Sequence, residues 1–281
     1  MKKLILLLTV MASFASAQTA RVLIVGDSWS QQQFDDGIHN QVFADNGYSN
    51  FVVADSSTVA ISGRTAADWA ATDQLQVIAD AISANPDVDI VQVSIGGNDF
   101  LNNWNINMTQ VDEDALKQQV VTDLNTVINF ILAQKPNIEV FLSFYDFPNF
   151  VDTISGLGGT TCNNLHNDLG QPTVTELNTI GGVFETAYTQ IVATHGRVYH
   201  ESHFGLMQSF YGFPDEGINP GDILPPGDIT RTSPVTAMRL HTFGIRDCFH
   251  LTPEGYNFLV QNSYDGYFME KFDTIFRNSN E

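Results

Sequence analysis

Five short runs of β-branched and apolar residues, separated by helical patterns, set the strongest limit on what this sequence can fold into. The runs are Arg21 to Val25, Phe51 to Val53, Ile90 to Ile95, Ile138 to Phe144 and Arg197 to Tyr199. Each is too short for a helix and rich in the residues that pack well in a buried strand. Helical patterns are clearest at Ala66 to Ile82, Glu113 to Leu132 and Val174 to Val192, and a last helix follows Pro253. Pro136, Gly196 and the pair Asn85, Pro86 supply stops for them. Strands alternating with helices in this way predict a mainly parallel sheet covered on both faces. In such sheets the chemistry gathers at the carboxyl ends of the strands. The loops after Val25, Val53 and Ile95 are therefore the places to search.

The first of these loops carries Gly26, Asp27 and Ser28, which puts a hydroxyl at an exposed strand end, where a nucleophile is wanted. The triplet alone is equally consistent with a turn that caps a helix. Far along the chain stand Asp247 and His250, in a predicted loop before a helix that Thr252 would cap and Pro253 would open. A spacing of three in a tight loop lets the carboxylate reach the imidazole, fix its tautomer and stabilise its charged form. A local Asp to His bond that merely closes the loop is the other reading. The third piece is Gly96, Gly97, Asn98, Asp99, where an Asn amide can donate to an oxyanion. The fourth is Ser62, Gly63, Arg64, Thr65, where a residue without a side chain lets a backbone N–H approach the same oxygen. With the Ser28 N–H, Gly63 and Asn98 would give three donors, and one good donor is typically worth about 3 to 4 kcal/mol in the transition state.

These four pieces, in this order and on these loops, resemble the SGNH or GDSL hydrolase family, and the resemblance spans Val22 to Tyr256. It implies Ser28 as nucleophile, with Asp247 and His250 as the acid and base of a triad. It also implies an oxyanion hole at Ser28, Gly63 and Asn98. The fold it implies is α/β: a flavodoxin-like three-layer α/β/α sandwich around a five-stranded parallel sheet. The larger α/β-hydrolase class fits less well, because residues 26–30 lack the second glycine of the GxSxG elbow. Two long stretches, Asp146 to Pro172 and His203 to Arg246, read as irregular. The second holds Phe204, Phe210, Tyr211 and Phe213 and is expected to form a lid or a pocket wall, or simply to pack its own excursion.

The chain opens with Met1, Lys2 and Lys3, an apolar core from Leu4 to Phe14, and Ala15, Ser16, Ala17, the order of a secretory signal cleaved after Ala17. The apolar run falls well short of the roughly 18 to 20 residues that a spanning helix needs. Residues 18–281 then form one domain that is secreted or periplasmic, without stable membrane insertion. Cys162 and Cys248 are the only cysteines and lack metal-ligand spacing. In an oxidising compartment a bridge between them is the expectation, with two unpaired thiols as the alternative.

The formal charge is −20, from 12 basic and 32 acidic residues. Such a surface repels phosphate backbones and anionic lipids, which argues against nucleic acid as a partner. It suits either a salty medium or plain solubility. His200, Glu201 and His203 do not match the helical spacing of a metal site, so no metal ligand is assigned. Asp35, Asp36 and the group Asp112, Glu113, Asp114 read as a solvated loop and a helix start. Asn107 to Thr109 matches a glycosylation acceptor by pattern only. The sequence is expected to encode an exported serine esterase that needs no cofactor and acts on small-molecule or carbohydrate esters, first of all short-acyl or acetyl esters. An acyltransferase on carbohydrate hydroxyls, a lipase or lysophospholipase, and a noncatalytic carbohydrate-binding protein are the rivals.

Overall fold

The computed structural model describes residues 18–154, 160–241 and 244–278, so the expected secretory signal at residues 1–17 lies outside the described residues. The first half runs β1 (Thr19–Gly26), α1 (Ser28–Asp35), α2 (Ile38–Asp45), β2 (Phe51–Val53), α3 (Ala66–Ala70), α4 (Thr72–Ala84), β3 (Ile90–Ser94), α5 (Gly97–Asn103) and α6 (Gln110–Gln134). It continues with β4 (Glu139–Ser143), α7 (Thr160–Asp168), α8 (Val174–Thr194), β5 (Val198–Glu201), α9 (Leu206–Tyr211), β6 (Met238–Leu240), β7 (Arg246–Leu251), α10 (Pro253–Ser263) and α11 (Met269–Asn278). A π-helical turn, Tyr264–Phe268, joins the last two helices.

The five expected runs are the five strands of one parallel sheet in the order β2-β1-β3-β4-β5. Period-two alternation divides β1 between two cores. Leu23 and Val25 face a core shared with Ile78, Leu124, Val127 and Phe184, whereas Val22 and Ile24 face one shared with Val42, Phe43, Leu259 and Phe268. Helices α4, α6 and α8 thus cover one face and α2, α10 and α11 the other. That is the three-layer architecture expected from the resemblance. Helix α8 begins with a capping box, in which Thr173 and Glu176 exchange bonds with each other's backbone N–H groups. Helix α6 stops at Gln134, just ahead of Pro136.

Three expectations need correction. The helix predicted over Ala66 to Ile82 is broken at Ala71, whose ψ of 140° is extended. The Trp69 indole is anchored to the Gly26 carbonyl at the end of β1, while Ile78 and Ile82 must turn into the core further back along the sheet. One straight helix cannot serve both positions. The two stretches read as irregular contain α7, α9 and β6, which at nine residues or fewer are too short to show a period. The Asp247 to His250 segment is part of strand β7, paired antiparallel with β6, and not a free loop.

Candidate active site

Ser28 is the first residue of α1, directly beyond β1. Asp27 caps this helix by accepting from the Trp29 N–H at 3.0 Å, which is the capping reading of the triplet and leaves the Ser28 hydroxyl uncommitted to the cap. Gly26 is required by crowding: a Cβ there would lie 2.2 Å from the Ser94 carbonyl oxygen and 2.3 Å from Ser30 Oγ. The chain passes between β3 and α1 at a spacing that only glycine allows, and this seats Ser28 beside the end of β3.

In a regular strand, residues 247 and 250 would point to opposite faces. Strand β7 escapes that rule because Met238 pairs with Leu251 and Leu240 with Arg246, so two steps on β6 answer five on β7. The surplus bulges outward. Asp247 Oδ1 holds the bulge by accepting from the N–H groups of Phe249 (2.7 Å) and His250 (2.9 Å). Its Oδ2 accepts from His250 Nδ1 at 2.8 Å. His250 Nε2 then faces Ser28 Oγ at 2.7 Å, across 222 positions of sequence. Burial pushes the Asp247 carboxyl up, but the bonds and charge it shares with His250, together with a bond from His241, outweigh burial and hold it well below the usual carboxylate range.

Ser28, Gly63 and Asn98 line one cavity. Among the described residues the backbone N–H groups of Ser28 and Gly63 have no hydrogen-bond partner, and Gly63 stands at φ +80°, a conformation that favours glycine. The Asn98 amide lies against two acceptors, the Arg64 carbonyl at 3.0 Å and Asp27 Oδ2 at 3.4 Å. Only its nitrogen can face them. Asp99 is turned inward, accepting from the Ala66 N–H at 2.7 Å, and so ties the third sequence block to the start of α3.

Sequence reasoning missed two residues. Tyr145, just past β4, donates to Asp27 Oδ2 at 2.6 Å and accepts from the Gly97 N–H at 3.1 Å, joining the first and third blocks. Its place at a strand's carboxyl end was the available clue. His241 Nε2 donates to Asp247 Oδ2 at 3.0 Å, giving the carboxylate a second imidazole, and nothing in its sequence context marked it. Of the four aromatics expected to form a lid or wall, Phe204 lines the cavity. Phe210 instead stacks on Phe258 at 4.2 Å, and Phe213 lies under the Arg231 guanidinium. His200 and His203 bond the carbonyls of Leu142 and Phe144, roles in holding the sheet.

Cys162 on α7 and Cys248 on β7 are bridged, with Cα atoms 5.9 Å apart, and the bridge lines the same cavity. The cavity has a volume of about 380 Å³ and runs from the Ser28 hydroxyl inward past Phe100, Phe144, Leu177 and Phe184.

The family model described as GDSL-like Lipase/Acylhydrolase matches residues 22–262. Among solved structures, one from Streptococcus pneumonia, assigned provisionally as a platelet activating factor, is 15% identical. It covers 90% of this chain and 86% of its own, with a TM-score of 0.52, a likeness of fold. A Clostridium thermocellum family 3 carbohydrate esterase is 16% identical, covering 92% of this chain and 99% of its own with a TM-score of 0.46. A GDSL-like lipase from Bacteroides thetaiotaomicron is 15% identical, with 88% of both chains covered and a TM-score of 0.44. No curated protein matches at the same stringency.

Proposed function

Because this chain belongs to the GDSL-like lipase and acylhydrolase family, and is thus an ester-hydrolysing enzyme, we propose that it cleaves carboxylic esters through Ser28, His250 and Asp247. The observation that carries this reading is the unbroken line of hydrogen bonds from Ser28 Oγ through the imidazole to the Asp247 carboxylate, at 2.7 and 2.8 Å. His250 Nε2 takes the hydroxyl proton as Ser28 Oγ attacks the ester carbonyl carbon. The carbonyl oxygen becomes an oxyanion, which the Ser28 and Gly63 N–H groups and Asn98 Nδ2 receive. Collapse expels the alcohol with the proton that His250 held. Water, deprotonated by the same nitrogen, then releases the acid and restores Ser28. None of these steps draws on a metal or an organic cofactor.

Asp247 orients the imidazole and balances its positive charge; it does not itself take the proton. Asn98 gives one amide hydrogen to Arg64 O, and the other, held in a long 3.4 Å bond to Asp27, turns from Asp27 to the oxyanion as it forms. Residues 1–17 act as the export signal, and the Cys162 to Cys248 bridge supports an oxidising compartment. Among the described residues no helix is long and apolar enough to cross a membrane.

Hydrolysis of chromogenic esters by wild type and Ser28→Ala tests the mechanism. The variant is expected to lose about 10⁴-fold or more in kcat. Turnover that survives the substitution would remove Ser28 from the chemistry.

A further inference from the structure

We infer that the cavity beside Ser28 is an acyl pocket for an aliphatic chain of about eight to twelve carbons, which replaces the acetyl group expected from sequence. This rests on the catalytic reading above and names the substrate class of that same site. Three observations carry it.

The first is the wall. Most of the lining is apolar, in residues such as Leu101, Val120, Leu165, Leu177, Phe184 and Phe204, several of them members of the core itself. Buried Asn178 and Asp146 also line it, but Asn178 spends its amide nitrogen on the carbonyls of Ile229 and Arg231, and Asp146 accepts from the N–H groups of Phe147, Gly205 and Met207. A sugar placed there would leave most of its hydroxyls without partners, at a desolvation cost that an alkyl chain avoids. The acyl group stays attached to Ser28 while the alcohol must depart, so the inward cavity suits the acyl side.

The second is size. An apolar cavity of about 150 Å³ holds a benzene ring. On that scale the 380 Å³ here has room for about fifteen carbon-sized atoms, and the ester group at the mouth takes several of them. An acetyl group would leave most of the cavity empty. The aromatic rings are already engaged with one another, Phe147 stacked on Phe204 at 4.7 Å and Phe100 edge-on to Phe184 at 5.5 Å, so they offer edges to a chain in place of an open face to an aromatic acid.

The third is Gly181, a glycine inside the long helix α8, where glycine is an unfavourable choice. It lines the cavity, and a Cβ there would already lie 3.2 Å from Phe204 Cζ. Any larger residue would take volume from the pocket or push Phe204 into it.

The test is a series of p-nitrophenyl esters from acetyl to palmitoyl, with the benzoyl ester included, on wild type, Gly181→Leu and Leu165→Trp. Fluorophosphonate labelling of Ser28 in each protein reports the serine chemistry independently of chain length. In the wild type kcat/KM is expected to rise roughly fourfold per added methylene up to about ten carbons and then to level or fall. In both variants, which fill the pocket from α8 and α7, the ratio of decanoyl to acetyl kcat/KM is expected to drop at least tenfold. Should Gly181→Leu fail to fold, Leu165→Trp decides. A wild type that labels at Ser28 yet prefers acetyl or benzoyl esters would overturn the acyl pocket, as would variants that keep the wild-type ratio. Absence of labelling in the folded wild type would instead overturn the catalytic reading beneath it.

Discussion

Asp247 makes more bonds than the proposed triad asks of it. One oxygen binds two backbone N–H groups and shapes the bulge, while the other accepts from both His250 and the half-exposed His241. The two imidazoles do not carry equal weight. His250 alone reaches Ser28, so His241→Ala is expected to lower kcat/KM by no more than about tenfold, whereas Asp247→Asn, which misorients the base, should cost about 10⁴-fold in kcat. Steady-state kinetics on the two variants checks this; equal losses would give His241 a far larger part. At this scale the site was largely legible, since Ser28, Asp247, His250, Gly63 and Asn98 sit in short motifs whose chemistry is local. Tyr145 and His241 were not, because each acts only on a partner more than five positions away that the fold brings to it.

Strand β7 shows how an element can hide from its own sequence. Residues 246–251 offer no clean alternation, and the pairing that makes them a strand comes from β6, which emerges late in a long excursion. Helix α7 is equally mute: among its nine residues only Cys162 and Leu165 are apolar, too few to show a period, although Cys162 is buried in the core, Leu165 packs against it and the bridge ties the helix to Cys248. The five strands of the main sheet, by contrast, were legible because burial on both faces demands continuous apolar runs. The bridge closes a sequence separation of 86 residues, so replacing both cysteines by serine is expected to cost about 2 to 5 kcal/mol in stability. Urea unfolding of the double variant measures it, and an unchanged midpoint would mean that α7 is held by its packing alone.

Across the whole molecule, burial acts on inner titratable groups in both directions. It is the main cause that pushes Asp27 up to about 6 and Asp146 and Glu201 up to about 7, and it pulls His39 and His203 down to about 4. The folded chain keeps protons on the three carboxyls that the unfolded chain releases near pH 4, a stabilisation present at low pH and lost as pH rises through 6 and 7. The histidines oppose it: below about pH 6.5 the unfolded imidazoles take up protons that the folded ones refuse until about 4. Two histidines against three carboxyls cancel the slope only in part between those limits. From about pH 6.5 to 7.5 Asp146 and Glu201 act unopposed, so the urea midpoint is expected to be lower at pH 8 than at pH 6.5. A midpoint that rises over this range would show that other groups control the balance. No reading of residue order could foresee this, because the sign depends on which side chains the fold encloses. The disulfide has a topological consequence at the same scale. Helix α8, strand β5 and the whole excursion up to β7 lie within the closed loop. A protease that cut once anywhere between the two cysteines would produce two polypeptides that still travel as one molecule, with Ser28 on one piece and His250 on the other.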